Sequence, residues 1–402
     1  MRETNNRKST VPTDTITNNA GDYTATAATT TYSLDKIVSN AVRLNGRFDT
    51  GSITHVLVLA NNGFYWSRYT PYNKGTVTLG HANLAAPVIF PEPVFPDFAH
   101  SYRSMNTIQQ SITVGDTMGF SSQWSVLLAA SQSWINVHNY DSQGGVTASY
   151  HAIGTSPTAS LMYKPRPNML AYLTYADSLQ QGDTAPAGAA DDGQSLAPYR
   201  SRQWEAGYKV DLNTIDLTAD VFRIERPYAY VGSDNVFGEQ GRQVNRGIEL
   251  GANGDLGRSF TVFAGISLLD PKLSDTGSAA TDGKQILGLS RVVYHTLLEY
   301  HVPVASGLTF SFNLRHATRR PGDYANTQFV DGFTVMDLGA RYLTSLGGKP
   351  VTFRLNVDNV GNERYWANIT PSSQNGYNAS GSGTGTLGAP RTVRASIQME
   401  LP

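Results

Sequence analysis

The 402-residue chain carries 31 Lys and Arg against 32 Asp and Glu, a formal net charge of −1, so it lacks the basic excess that a nucleic-acid partner requires. It has no cysteine, which removes disulfides, thiolate metal sites and cysteine catalysis. Mean hydropathy is negative and no apolar run reaches the roughly eighteen residues of a transmembrane helix, so any passage through lipid must use strands.

Residues 1–10 hold Arg2, Arg7 and Lys8 without a following apolar stretch, so no secretory signal is visible. Residues 10–31, rich in Thr, Asn and Ala, read as a loop that feeds an alternating strand near Tyr32. Residues 1–31 are therefore expected to be a loop-like N-terminal segment, and residues 32–402 one continuous strand architecture that begins partway through a larger one.

From there the chain alternates apolar and polar residues with period two. The pattern holds at 204–212, 260–268, 294–302, 308–314 and 351–358, and again at the end, where Val393, Ala395, Ile397, Met399 and Leu401 oppose Arg394, Ser396, Gln398 and Glu400. Residues 351–358 are the clearest case: Val351, Phe353, Leu355 and Val357 point one way, Thr352, Arg354, Asn356 and Asp358 the other. Tyr, Trp and Phe near the ends of the apolar faces suit interfacial girdles, and Tyr365 and Trp366 are assigned to the outer interface.

The connections alternate too. Those at 212–214, 253–258, 303–307 and 345–350 are tight and rich in Gly, Asn and Pro, whereas those at 70–101, 177–198, 226–240, 270–286, 318–331 and 361–386 are long. Short links at one end and long links at the other predict an all-β fold, a transmembrane antiparallel up-and-down β-barrel of roughly 16 strands of about ten residues each. A passive porin-like channel and a soluble β-rich binding or hydrolytic protein are the rivals; no pair of carboxylates is spaced for the latter.

Several stretches stand out in chain order. They are Leu44-Asn-Gly-Arg-Phe-Asp-Thr-Gly with Thr54-His-Val-Leu, Lys164-Pro-Arg-Pro-Asn with residues 172–182, and Gln203-Trp-Glu-Ala-Gly-Tyr-Lys. Gly247-Ile-Glu-Leu, Asp331-Gly-Phe-Thr-Val-Met-Asp-Leu, Val357-Asp-Asn-Val-Gly-Asn-Glu-Arg-Tyr-Trp and Gly388-Ala-Pro-Arg-Thr-Val follow. In this order they resemble the barrel of TonB-dependent siderophore receptors, and the resemblance implies a bacterial outer-membrane receptor for a ferric siderophore, without covalent chemistry and with no cofactor. Outer-membrane lipid and lipopolysaccharide would surround it, and the TonB energy-transducing complex would act only through a plug domain. Neither that plug nor the family's coupling box is recognised in these residues, the roughly 22 strands of a plugged barrel exceed those read here, and Leu401 stands where the family has a terminal aromatic. The expectation is therefore a fragment, inactive by itself in coupled transport. Within the family, receptors for cobalamin or an oligosaccharide stay open.

A ferric siderophore is a bulky, partly apolar chelate whose own oxygens satisfy the iron, so its receptor needs aromatic surface and hydrogen-bond donors rather than metal ligands. The aromatic candidates in the long connections are Tyr69, Tyr72, Phe95, Tyr228, Tyr230, Phe237, Tyr324 and Phe329, with Phe90 as a further aromatic. Arg391 and Arg394 are candidates to face a plug. His295, Glu299 and His301 share a strand face, but the two histidines lie about 20 Å apart at strand rise and no metal site is assigned. Asp183, Asp191 and Asp192 could hold a cation, though a solvated loop is the simpler reading. Gly383-Thr-Gly-Thr-Leu-Gly fits a dinucleotide-binding spacing, but Pro390 and an alternating strand follow where a helix is needed.

Overall fold

The computed structural model describes residues 2–5, 13–28, 33–72, 76–94, 100–186, 188–371 and 383–399. Among these residues there is no helix. The first strands are β1 (Arg2–Asn5), β2 (Thr13–Ile16), β3 (Asp22–Ala28), β4 (Leu34–Thr50), β5 (Ile53–Pro71), β6 (Thr76–Asn83), β7 (Ser101–Gly119), β8 (Trp124–Tyr140) and β9 (Val146–Tyr163). Next come β10 (Met169–Gln180), β11 (Tyr199–Asp211), β12 (Ile215–Val231), β13 (Phe237–Leu256), β14 (Phe260–Ser274), β15 (Val292–His301) and β16 (Leu308–Ala317). The last are β17 (Arg320–Pro321), β18 (Phe329–Val330), β19 (Phe333–Leu346), β20 (Lys349–Asp358), β21 (Trp366–Pro371), β22 (Gly383–Leu387) and β23 (Thr392–Met399).

Sixteen strands form the main sheet in the order β1-β4-β5-β7-β8-β9-β10-β11-β12-β13-β14-β15-β16-β19-β20-β23, each beside its neighbour in this sequence. The remaining strands form three small sheets, β2-β3-β6, β17-β18 and β21-β22. This is the up-and-down order that the alternating connections predict. The expected N-terminal loop is different: residues 2–5, 13–16 and 22–28 are strands, because β2 and β3 pair with each other while β3 and β1 also find later partners in β6 and β4. The alternating strand expected near Tyr32 begins at Leu34, and Tyr32 itself lies outside the described residues.

The chain divides into two compact units, Met1–Asn45 with Val58–Val114 and Ser131–Thr155, and Gly46–Leu57 with Gly115–Ala130 and Ser156–Pro402. In the first unit β3 is the centre of its small sheet, with Tyr23, Ala25 and Ala27 buried on one side. Ile135, Val137, Tyr150 and Ala152 make a second apolar cluster there. Asp35 is buried and accepts hydrogen bonds from Trp66 Nε1 at 2.9 Å, Arg68 Nε at 2.9 Å and Ser33 Oγ at 3.0 Å.

In the second unit, β9 to β16 with β19, β20 and β23 form an uninterrupted antiparallel meander. The tight turns carry the chemistry they need. Asn213 sits at φ 69° and its amide donates to Asp211 Oδ1 at 2.6 Å, while Gly347 and Gly348, at φ 59° and 78°, make the two-residue link of β19 to β20. Register sorts the side chains into two faces. On one, Leu217, Val221, Ile248, Leu250, Leu256, Leu268, Leu338, Leu355 and Ile397 are exposed and apolar. From Leu256 to Arg246 this face runs for ten residues of β13, about 33 Å along a strand and about 25 Å once tilted, the height of a lipid-facing band. Aromatic pairs flank it, Tyr175 with Trp204 at 5.0 Å near the long connections and Phe260 with Tyr300 at 4.9 Å near the short ones.

Candidate functional site

Two features of the second unit are built for more than folding: the packed long connections and the polar face of the meander. The connections lock one another in place. Gln285 and Asn326, from different connections, exchange hydrogen bonds of 2.8 and 2.9 Å. Gly288, at φ 77°, donates its amide to Pro321 O at 3.0 Å and lies so close to Ile369 that a side chain there would strike the carbonyl. Ala190 donates its amide to Asn235 O at 2.8 Å and Asp191 Oδ1 accepts from the Phe237 amide at 2.9 Å. Asp191 is thereby a loop brace, and among the described residues no group of three or more His, Asp or Glu is placed to hold a metal.

Two apolar clusters lie within these contacts. One joins Tyr228, Leu273, Ile286, Leu287, Tyr324 and Ile369; the other joins Ala185, Tyr199, Ala229 and Phe237. Of the aromatic candidates, Tyr228, Tyr324 and Phe237 are thus buried in packing, between 2 and 4% exposed. Tyr230 packs against the first cluster and its hydroxyl donates to Thr276 O. Tyr72 and Phe329 are open, 50% and 42% exposed, with Tyr102 beside the first ring and the Arg319 guanidinium 4.9 Å from the centre of the second. Tyr69 is half-buried with Lys36 Nζ 5.7 Å from its ring centre. Phe95 lies outside the described residues.

The long connection expected at 226–240 is a correction. β12 and β13 continue through most of it and leave only 232–236 as a link, with a register shift at Tyr228/Ala229. Trp366, assigned to the interfacial girdle, instead packs against the apolar cluster of Tyr228 and Tyr324, and the Tyr365 ring lies 4.5 Å from that of Phe333, tilted by 38°. Residues 383–387 are β22, paired with β21, and strand β23 follows rather than a helix.

Burial keeps the Tyr324 hydroxyl protonated well above the ordinary tyrosine range, with the neighbouring Tyr228 adding to the shift and Arg226 opposing it. Its oxygen is buried and has no hydrogen-bond partner among the described residues.

The polar face carries a carboxylate group that reading the sequence missed. Glu205, Asp220 and Glu249 belong to adjacent strands on one face. Tyr172 Oη donates to Glu205 Oε1 at 2.5 Å, Gln203 Nε2 to Glu205 Oε2 at 2.6 Å and Ser267 Oγ to Glu249 Oε1 at 2.9 Å. Toward the short turns a cavity of about 690 Å³ opens on the same face, bordered by Lys209, Asp211, Asp216, Phe263 and His295. Farther along the meander the polar face turns cationic but paired: Arg394 Nε lies 2.7 Å from Asp358 Oδ2 and Arg341 3.9 Å from Glu299. The acidic signal was present in the Gln203 and Gly247 stretches, whose single Glu residues fall on one face, two residues apart in register. Arg391 contributes its backbone amide to Asn362 Oδ1 at 3.1 Å.

An antiparallel meander with one lipid-type face, aromatic flanks, a wet opposite face and long connections packed at one end has the anatomy of an outer-membrane strand protein. The chain belongs to the family described as TonB dependent receptor-like, beta-barrel, which matches residues 3–360. That is a family of outer-membrane receptors, not of enzymes. The chain is 28% identical over 395 residues to the ferrichrome receptor FcuA of Yersinia enterocolitica, covering 96% of this chain and 51% of that one. It is 25% identical over 337 residues to the ferrioxamine B receptor of Salmonella typhimurium, covering 81% and 46%. Among solved structures, BauA, the ferric preacinetobactin receptor of Acinetobacter baumannii, superposes with a TM-score of 0.77 at 27% identity, over 96% of this chain and 57% of that one. The chain spans about half the length of the curated relatives it matches.

Proposed function

We propose that this chain supplies the wall and outer connections of a receptor that captures a ferric siderophore at the bacterial outer membrane and admits it under TonB control. The similarity of nearly the whole chain to receptors named for ferric siderophores carries this reading. The packing supports it: the long connections form braced apolar clusters, which hold a recognition surface still enough to bind a rigid chelate without a large ordering cost. In the second unit Phe329 and Tyr230 are the aromatic surfaces offered to the chelate, with the buried rings of Tyr228, Tyr324 and Phe237 holding the connections in shape; Tyr69 and Tyr72 in the first unit, and Phe95, are separate members of the candidate set. Coupling to TonB runs through a plug on the polar face, where Glu205, Asp220 and Glu249 offer acceptors to cationic groups.

The test is fluorescence quenching of the purified, refolded chain by ferrichrome, ferrioxamine B and a ferric catecholate. Saturable quenching by at least one chelate, weakened severalfold in Phe329→Ala, is the expected result. A chain that binds none of them yet passes a large steady current in a planar bilayer would be a passive channel, and the receptor reading would fall.

A further inference from the structure

We infer that Arg320 is a positioning residue: from inside the outer connections it ties three of them into one block, which orders as a unit and holds the exposed ring of Phe329 ready for a ligand. The three are the connections between β14 and β15, between β16 and β19, and between β20 and β23. All belong to the second unit. Phe329 stands on the middle one, with the Arg319 guanidinium 4.9 Å from its ring centre. The effect on chelate affinity rests on the receptor reading above; the block does not.

The middle connection cannot hold its shape by itself. Its hairpin, β17 with β18, pairs only Arg320 with Val330 and Pro321 with Phe329, and so short a ladder does not persist alone in water. Its loop is closed by Gly322 N donating to Gln328 O at 2.9 Å and by Asp323, whose carboxylate accepts from the Thr327 amide at 2.8 Å and the Gln328 amide at 3.2 Å. The remaining support comes from the neighbours. Toward the first connection it is ample: Asn326 exchanges bonds with Gln285, Gly288 donates to Pro321 O, and Ser290 Oγ donates to Thr318 O at 2.7 Å. Toward the third, among the described residues, one hydrogen bond joins the two connections, from Arg320 Nη2 to Trp366 O.

Arg320 is 5% exposed, forms no ion pair among the described residues, and its Nε has no hydrogen-bond partner there. Burying a guanidinium without a counter-charge lowers stability, and an apolar side chain would fill the same space without that penalty. What the guanidinium adds is reach and shape. While it donates to Trp366 O, it also lies 5.6 Å from the Phe333 ring centre, a pair of contacts that no aliphatic chain makes. Trp366 in turn packs on the apolar cluster to which all three connections contribute, through Ile286 and Leu287, Tyr324, and Ile369. Opening any one connection exposes that cluster, and opening the middle or the third also leaves Arg320 without its acceptor, so the three open together or not at all. A ligand then meets a surface that is already ordered.

The test is hydrogen exchange followed by mass spectrometry on the full chain folded in detergent, alone and with whichever of ferrichrome, ferrioxamine B and a ferric catecholate the wild type binds. In Arg320→Met, protection should fall about tenfold at 320–330, at 366–371 and also at 285–289, which the Arg320 side chain does not hydrogen-bond. Ala185 and Leu196, whose amides are bonded within another connection, should exchange as in wild type. The chelate should leave Arg320→Met about fivefold faster. Its binding should restore protection in the variant while adding none to wild type, a difference that a merely destabilised sheet would not show. If Arg320→Met does not refold, Asn326→Gly serves: it keeps the left-handed backbone at φ 57°, removes the side-chain bonds to Gln285, and should open 366–371 as well. Opening confined to 318–332 would overturn the proposal, as would wild-type chelate kinetics in an opened variant. If the wild type binds none of the chelates, the receptor reading falls and exchange alone decides: three segments opening together keep the block, and the hairpin opening by itself removes it.

Discussion

Single residues in this chain show which polar groups the fold can hold and which it only tolerates. The Tyr324 hydroxyl is buried without a hydrogen-bond partner among the described residues, so it costs desolvation and returns no hydrogen bond. Tyr324→Phe should therefore leave the melting temperature unchanged or raise it, by up to about 1–3 kcal/mol of stability, as calorimetry in detergent would show. Because burial raises its folded pKa, the neutral hydroxyl contributes fully below the unfolded tyrosine value of about 10 and its contribution is lost as pH rises from there toward the folded pKa. Wild type should loosen in strong alkali more than Tyr324→Phe does; equal alkaline midpoints would refute this. Asp22 has the opposite sign. Asn18 Nδ2 at 2.7 Å and Asn83 Nδ2 at 2.8 Å hold its carboxylate ionised and its pKa below the usual range. Its contribution is present above the unfolded value of about 3.9 and is lost as pH falls through the folded one. The protection of the Ala20 and Asp22 amides, both donating to Asn18 Oδ1, should fall in acid once their exchange is corrected for the intrinsic rate at each pH, and Asp22→Asn should remove that dependence.

At the level of strands, legibility followed the solvent on each face. Residues 204–212 and 351–358 could be read because lipid on one side and water on the other force a strict alternation. Residues 226–240 could not: Tyr228, Ala229 and Tyr230 serve equally as strand or loop, and only the paired β13 decides. Trp366 and Tyr324 were legible as aromatic but not as packed into a cluster, since partners distant along the chain, Tyr228 and Leu273 among them, gather around it. The two-face rule makes a sharp contrast testable. Leu250→Arg puts a charge on the lipid face and should cost about 2–4 kcal/mol, whereas Glu249→Gln, one residue along and facing water, should change stability by about 0.5 kcal/mol or less, both read from urea unfolding in detergent. Asn359 explains part of the recognisable 357–366 stretch. It is buried, adopts φ 51°, donates from Nδ2 to Glu363 O at 2.9 Å and Ala389 O at 3.0 Å, and accepts from the Glu363 amide at 2.8 Å. It thus ties the end of β20 to the approach of β23. Asn359→Ala removes all three bonds and strains the left-handed backbone, so a loss of about 2–4 kcal/mol is expected.

For the molecule as a whole, the negative mean hydropathy and the near-zero net charge would suit a soluble protein, and only the placement of residues says otherwise. Exposed Leu, Ile, Val and Phe side chains gather on one face of the meander, with Leu217, Val221, Ile248, Leu250, Leu338, Leu355 and Ile397 among them. An apolar surface of that extent is far larger than the few hundred Å² a soluble monomer exposes. In water it would drive association, and a net charge of −1 supplies little repulsion to oppose it. In a micelle the same surface is satisfied, and the backbone is already paired strand to strand as lipid demands. The purified chain is therefore expected to aggregate on dilution from urea into buffer and to fold on dilution into detergent. The folded form should show a strand-type circular dichroism spectrum and a gel mobility that shifts on heating. A compact, monodisperse monomer in detergent-free buffer would contradict the assignment of this face to lipid, and with it the receptor reading.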